Sequence, residues 1–367
     1  MKTKKNILFV MNNLNGGGAE KVLVDIINNL NFEKFNIDLF LVKKQGIYLE
    51  NIDKRVNVFS AIDGQNKIYS KIIEKVLIKY FPGFFYKLNI RKKYDVEVGF
   101  LEGIPTKIVA ASKGKSKKIA WVHIDLLKKH WTKQFFKSGE EELVYNKMDK
   151  IVFVSEEAKK SFNKVFNNRS LQEVIYNPII NEGILEKACE ENIKFDKFTI
   201  VSVGRLNYQK GYDMLIKAHS KLIKKHNYNL LIIGEGPEKE SLNKLINDLK
   251  VNDSVVLKGF ESNPYKFVRA ADLYVSSSRT EGYPLALLEA IVLKKAIVAT
   301  DVTGNREILD NGKYGVLCRD DAKSLEESID NILSNKVKIN ELEKLATIKM
   351  QQMDYRKIIL QIEKVLR

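Results

Sequence analysis

The chain has 367 residues, 44% hydrophobic and 10% aromatic, a length and apolar content that suit two domains with full cores and exclude an intrinsically disordered chain. Cys189 and Cys318 stand far apart and outside any CxxC pair, so they give neither a disulfide framework nor a zinc site, and a reducing cytoplasm is the expected compartment. The net charge of +16 is uneven: residues 1–178 carry 32 Lys and Arg against 19 Asp and Glu, and residues 179–367 carry 30 against 27. The front half therefore expects an anionic partner. Nucleic acid, an anionic membrane surface and a pyrophosphate-bearing substrate are the candidates, and lysine-based solubility is the plain alternative.

The opening basic residues lead into only five apolar ones, 7–11, too few for a signal-peptide core, and these read as a first strand. A glycine-rich loop with Gly16, Gly17 and Gly18 follows, and then Val22, Leu23, Ile26, Ile27 and Leu30 keep one helical face apolar. Strand, glycine loop and helix open a doubly wound α/β unit. Further strands are expected at 36–42, 56–59, 95–100, 118–122 and 150–154. Between them, Lys67, Lys71, Lys75 and Lys79 recur every four residues and line one helical face with charge. Tyr80, Phe81, Phe84, Phe85 and Tyr86 come next, then Arg91, Lys92 and Lys93. Rings beside cations suit the headgroup level of an anionic membrane, whereas the alternative packs the rings into the core and leaves the lysines solvated.

At 174–179, Pro178 fixes an extended path and the charge balance shifts, which marks a crossing into a second domain. Strands are expected there at 198–203, 229–233, 254–257, 273–276, 296–300 and 315–318, alternating with helices. No spanning helix is predicted, because eighteen consecutive apolar residues never occur. The last helical stretch, 342–367, has no strand after it and is expected to return to the first domain. The expected division is 1–177, 178–345 and 346–367.

The second half is organised around Ser277 to Ala290, which reads as a loop and then a helix. Gly282 permits a close approach and Pro284 suits the first helical position. The first-turn N–H groups of such a helix, at the carboxyl end of a parallel sheet, meet an anionic ligand. Glu281 and Glu289 bracket the turn and read as acceptors for sugar hydroxyls beside that anion; the plainer alternative is a solvated loop glutamate and a helix-face glutamate. Arg205 and Lys210 pair a guanidinium with an ammonium able to neutralise a diphosphate, with ordinary ion pairs as the alternative. His123 ends a first-domain strand beside Trp121 and Asp125, either projecting toward a cleft or satisfied within the core. His219 and His226 are expected at the surface. Gly114-Lys115-Ser116 lacks the first P-loop glycine, Val109 standing in its place. No HExxH, Asp-x-Asp pair or His/Cys cluster predicts a metal, and no GxSxG predicts a serine nucleophile.

Gly17-Gly18-Ala19-Glu20, Gly204-Arg205-Leu206 with Lys210-Gly211, Gly234-Glu235-Gly236, and Glu281 with Glu289 in an E-x7-E frame follow one another along nearly the whole chain. Together they resemble the retaining nucleotide-sugar glycosyltransferases of the GT-B fold, family four, above all bacterial enzymes that build capsule, O-antigen, lipopolysaccharide or lipid-linked oligosaccharide. The resemblance implies an α/β fold of two Rossmann-like doubly wound parallel-sheet domains facing a cleft, the first on the acceptor side and the second binding the donor. It implies transfer of a hexose, with retention, from a nucleotide sugar such as a UDP-sugar to a hydroxyl of a lipid-linked or glycan acceptor. No metal or other cofactor is expected, and the place of work is cytoplasmic, at the inner face of the membrane. By the same resemblance, Arg205 and Lys210 hold the diphosphate and stabilise the departing nucleotide. Glu289 takes the ribose hydroxyls and Glu281 those of the sugar, while backbone from Gly282, Tyr283, Pro284 and Leu285 touches phosphate or sugar. Gly17 and Gly18 let the first domain's backbone approach the donor, and His123 sits by the reacting sugar. No carboxylate nucleophile of the glycosidase kind is implied, since the leaving phosphate is held to help deprotonate the acceptor on the same face. A sugar-nucleotide epimerase on the same architecture is the alternative. A nucleic-acid-binding protein, suggested by charge alone, is a remote one, so no nucleic-acid partner is expected.

Overall fold

Apolar runs that alternate with amphipathic helices resolve into two parallel sheets in the computed structural model, which describes residues 3–63, 73–128 and 130–367. The first unit takes in Met1–Pro178 and Tyr355–Arg367, the second Ile179–Asp354. In the first, strands β1 (Lys5–Met11), β2 (Phe35–Lys44), β3 (Asn57–Asp63), β4 (Val96–Gly99), β5 (Lys117–Val122), β6 (Lys150–Phe153) and β7 (Leu171–Val174) lie in the order β3-β2-β1-β4-β5-β6-β7. Helices α1 (Gly18–Asn29), α2 (Pro82–Asn89), α3 (Ile104–Ala110), α4 (Glu140–Tyr145) and α5 (Glu156–Val165) connect them. Ile7 to Met11 of β1 are buried on both faces, as a parallel strand covered by helices must be. Ser155 starts α5 by accepting the Ala158 N–H at 3.1 Å. The edge strand β7 is missing from the sequence expectation, because Leu171-Gln-Glu-Val has no apolar alternation and Leu171 is exposed.

The second unit runs α6 (Asn181–Cys189), β8 (Phe198–Val203), α7 (Tyr212–Leu222), β9 (Tyr228–Ile233), α8 (Lys239–Asp248), β10 (Val255–Gly259), α9 (Tyr265–Ala270), β11 (Leu273–Ser276), α10 (Leu285–Val292), β12 (Ala296–Thr300), α11 (Thr303–Ile308), β13 (Val316–Cys318), α12 (Ala322–Leu333) and α13 (Lys336–Gln352). Its strand order is β10-β9-β8-β11-β12-β13. Both sheets therefore reverse direction of winding once, between β1 and β4 in the first and between β8 and β11 in the second. Loops leaving the carboxyl ends of such neighbours part to opposite faces and open a crevice, which is where doubly wound sheets take ligands.

The terminal helical stretch is not one helix. Met353 is extended, with φ −87° and ψ 97°, and separates α13 from α14 (Tyr355–Val365). Helix α13 stays with the second unit, so the division falls after Asp354 rather than after residue 345. Helix α14 joins the first unit: Ile359, Ile362, Val365 and Leu366 are buried, Glu363 accepts from Lys34 Nζ at 2.8 Å and the Asn31 N–H at 3.1 Å, and Lys117 Nζ donates to the Val365 carbonyl at 2.7 Å. His219 is likewise not at the surface. It lies on the buried face of α7 with Leu215 and Leu222, bonds Ser254 Oγ at 2.8 Å and packs edge-on against Tyr228; burial pushes its pKa down to about 4. His226 pairs with Asp330 at 2.6 Å. Lys67 and Lys71 of the expected basic face lie outside the described residues. Among the described residues no helix is long and apolar enough to cross a membrane.

Replacing Ile362, fully buried on α14, with Ala is expected to cost about 2–4 kcal/mol, whereas Leu360→Ala on the exposed side of the same helix costs under about 0.5 kcal/mol. Denaturant titration of the two variants checks the difference.

Candidate functional site

Two loops leave the switch point of the second sheet, 204–211 after β8 and 277–284 after β11. They are stapled together by hydrogen bonds. Ser277 Oγ donates to the Lys210 carbonyl at 2.8 Å, the Arg279 N–H to the Gln209 carbonyl at 2.7 Å, and Gln209 Nε2 to the Thr280 carbonyl at 2.9 Å. The Arg279 guanidinium forks onto both oxygens of Asp213 at 2.8 and 2.9 Å, donates to the Tyr208 carbonyl at 2.8 Å and stacks 4.1 Å over the Tyr208 ring. So close an approach needs Gly211: its φ is +63°, and a Cβ there would lie 2.1 Å from the Ser277 carbonyl oxygen.

The staple brings together two side chains 71 residues apart. Lys210 Nζ donates to Glu281 Oε1 at 2.6 Å, and Ser278 Oγ donates to the same oxygen at 2.6 Å. Glu281 is 7% exposed, so the pair sits at low dielectric, where geometry and a second hydrogen bond decide whether an ion pair repays its desolvation. The cavity behind it, lined in part by Ser202, Tyr212 and Ser276, measures about 10 Å³. That is the room of one water, so any larger ligand must lie on the open side of the pair. Thr300 Oγ1 donates to the Ser278 carbonyl at 2.5 Å, the buried Asn305 holds the Thr300 carbonyl at 2.9 Å, and the Gly304 N–H donates to the Glu281 carbonyl at 3.3 Å.

The other expected residues are distributed around this contact. Helix α10 begins at Leu285, with Pro284 extended at the cap, one residue before the helical position expected of it. Gly282 and Tyr283 lead into the cap and are half-buried. Glu289 stands one turn into α10, and its Oε1 accepts from Tyr265 Oη at 2.9 Å. Arg205 directly follows Gly204 and is exposed; its guanidinium has no bonded partner among the described residues. The structure thus joins Lys210 to Glu281 directly, while Arg205 and Glu289 occupy the same loop and helix without touching that pair. Ser278, Arg279, Asp213 and Tyr265 are the side chains that sequence reasoning missed. The trace of the first two is a run of polar residues, Ser277 to Thr280, after a fully buried strand; Asp213 and Tyr265 leave none.

In the first unit, Gly17 caps α1 and a Cβ on it would lie 2.1 Å from Glu20 Oε2; Gly18 is the first helical residue. After β5, the His123 ring packs 5.1 Å from Phe100 and is bonded to the Phe100 backbone. Because Nε2 is buried without a partner among the described residues, the bond to the Phe100 carbonyl is from Nδ1. Burial pushes the His123 pKa down to about 3, so the ring is neutral and Nε2 carries a lone pair. Asn12 Oδ1, just past β1, is a second buried acceptor without a partner among the described residues. No group of three or more His, Cys, Asp or Glu side chains among them is placed to hold a metal ion.

Two doubly wound parallel-sheet units in this strand order define the GT-B class of fold. The profile of the family described as glycosyl transferases group 1 matches residues 186–349, the region that holds Arg205, Lys210, Glu281 and Glu289. The N-acetylgalactosamine-N,N'-diacetylbacillosaminyl-diphospho-undecaprenol 4-alpha-N-acetylgalactosaminyltransferase of Campylobacter jejuni is 34% identical over 199 residues, a match that spans 53% of this chain and only about half, 53%, of that protein. An uncharacterized glycosyltransferase of Haemophilus influenzae is 25% identical over 343 residues, 90% of this chain and 91% of the other. The solved structure of Anabaena Alr3699/HepE in complex with UDP and glucose is similar in fold, with a TM-score of 0.78 at 20% identity over 99% of each chain. These relatives carry no sign of the epimerase alternative.

A double-mutant cycle on Lys210→Ala and Glu281→Ala is expected to show about 1–3 kcal/mol of coupling, the double variant being more stable than the sum of the single losses predicts. Strict additivity in chemical denaturation would mean that the 2.6 Å contact contributes nothing.

Proposed function

We propose that the chain is a retaining hexosyltransferase that moves a sugar from a nucleotide diphosphate sugar, a UDP-sugar in the first instance, to a hydroxyl of a lipid-linked or glycan acceptor in bacterial surface polysaccharide synthesis. The observation that carries the reading is the Lys210–Glu281 contact at the switch point of the second sheet: one cation and one hydroxyl acceptor held side by side. Breaking the sugar–phosphate bond leaves negative charge on the diphosphate. Lys210 and the exposed Arg205 are the groups to stabilise it, together with the first N–H groups of α10 from Leu285 onward. Glu281 accepts from the sugar's hydroxyls and Glu289, steadied by Tyr265, from the ribose. His123 Nε2 and Asn12 Oδ1 are buried acceptors offered to further hydroxyls. Two cations do what a metal ion does in other transferases, so neither metal nor cofactor is needed. The diphospho-undecaprenol named for the Campylobacter relative and the UDP and glucose of the Anabaena structure support the acceptor and donor classes.

Transfer from a UDP-sugar, found by screening UDP- and GDP-sugars for thermal stabilisation, should fall about 10²–10³-fold in Lys210→Ala and in Glu281→Ala, with far-UV circular dichroism preserved, and should persist in EDTA. Full activity in either variant would contradict the role given to that residue. A donor isomerised without any acceptor would identify an epimerase instead.

We also place an anionic membrane surface, on the cytoplasmic side, among the partners. Tyr80, Phe81, Phe84 and Leu88 are 49%, 59%, 62% and 53% exposed, and Phe85 alone of the neighbouring phenylalanines is core. The stretch from residue 76 to 93 holds five Lys and Arg and no acid, and Lys137 lies 5.3 Å from the Tyr80 ring. Exposed rings with a basic rim suit lipid headgroups. Flotation with phosphatidylglycerol vesicles should recover the wild type and leave Phe81→Glu/Phe84→Glu behind; equal recovery of both removes this surface.

A further inference from the structure

Glu102 lies just past the carboxyl end of β4, beside the point where the first sheet reverses, and is 1% exposed. Its Oε2 accepts the main-chain N–H of His123 at 3.0 Å, and the indole of Trp131 also donates to it. No Lys or Arg pairs with it among the described residues. A neutral glutamine would accept the same N–H groups, and a buried carboxylate without a counter-cation costs far more than a neutral amide. Holding these segments together therefore does not by itself call for an acid. We infer that Glu102 is a positioning residue for His123, its carboxylate gripping the His123 main chain and the Trp131 indole so that the imidazole is set at the carboxyl edge of the sheet. This rests on the reading of His123 as a sugar-contacting residue.

Around Glu102 the ionisable side chains come from two elements: His123 follows β5, and Glu141 and Tyr145 come from α4, with His130, in the turn beside Trp131, bonded to Glu141. His123 stays neutral down to about pH 3, burial pushes the Tyr145 phenol far up, and Glu141 is engaged by His130 Nε2 at 2.8 Å and Thr132 Oγ1 at 2.5 Å. Burial raises the Glu102 pKa from the ordinary 4.5 to about 7. An acid raised in this way is ionised above about pH 7 and protonated below it. Hydrogen bonds to a charged acceptor are the stronger ones, so the grip tightens as pH rises through 7 and loosens as it falls.

The test uses the full chain with 5-fluorotryptophan in place of both tryptophans, followed by ¹⁹F NMR between pH 5 and 9. The Trp131 resonance of the wild type is expected to shift with a midpoint near 7, and Glu102→Gln to abolish the transition. In parallel, kcat/KM for transfer is expected to rise several-fold from pH 6 to 8 in the wild type and to stay flat over that range in Glu102→Gln. A Trp131 midpoint unchanged in Glu102→Gln belongs to another group and overturns the inference. So does an identical pH profile for the two proteins, which leaves the transferase reading standing. Absence of transfer from every donor tried defeats that reading instead, and the Trp131 titration still decides whether Glu102 grips the indole.

Discussion

A 2.6 Å contact between an ammonium and a carboxylate, Lys210 and Glu281, is what the architecture of the second unit is built to make. Neither residue is close to the other in sequence, and each sits on a loop that would wander if left alone. Parallel strands β8 and β11 deliver the loops to the same edge, and a lattice of main-chain and side-chain bonds then removes their freedom. Glycine at 211 is the sterically critical member, since any side chain there meets the Ser277 carbonyl. A pair this buried is stabilising only while its partners stay in register, so the Arg279–Asp213 fork and the Ser278 hydroxyl matter as much as the two charges they align.

The two sheets share a topology and differ in chemistry. At its switch point the second offers cations and the start of a helix, suited to phosphate. The first offers neutral acceptors, Asn12 and His123, suited to hydroxyls, with the buried acid Glu102 holding the His123 main chain. The excess positive charge of the front half therefore does not mark its ligand edge. Part of it lies around α2, where Lys87, Arg91 and Lys93 are exposed near exposed rings. Net charge and site charge are separate properties of this chain, and the first is informative about surroundings rather than chemistry.

Among the described residues, periodicity located twelve of the thirteen strands, because buried parallel strands leave near-continuous apolar runs. It passed over β7, an edge strand with one residue exposed and three half-buried. A helix break at Met353 left no proline or glycine to announce it. His219 was expected outside because one polar residue says nothing about which side of a helix it occupies, whereas its spacing from Leu215 and Leu222 did. At the site, the residue types and their strand-end positions were visible, and the resemblance to a known family supplied roles. What no linear pattern carries is that Lys210 and Glu281 touch, that Arg279 fastens the loops, or that Glu102 binds the amide of His123. Each depends on loops that meet only after the sheet has ordered its strands.

Helix α14 completes the first unit with residues made long after the rest of it. Ile362 is buried and Glu363 is held by Asn31 and Lys34 of the loop between α1 and β2, places that stay open while the ribosome works through the whole of the second unit. The second unit is a single continuous segment and can settle as soon as it emerges; the first must wait, partly uncovered, for a piece some 180 residues downstream. Biogenesis of this protein thus reverses the usual order in which the domain made first is finished first, and its most vulnerable species during translation is the unit that was started earliest.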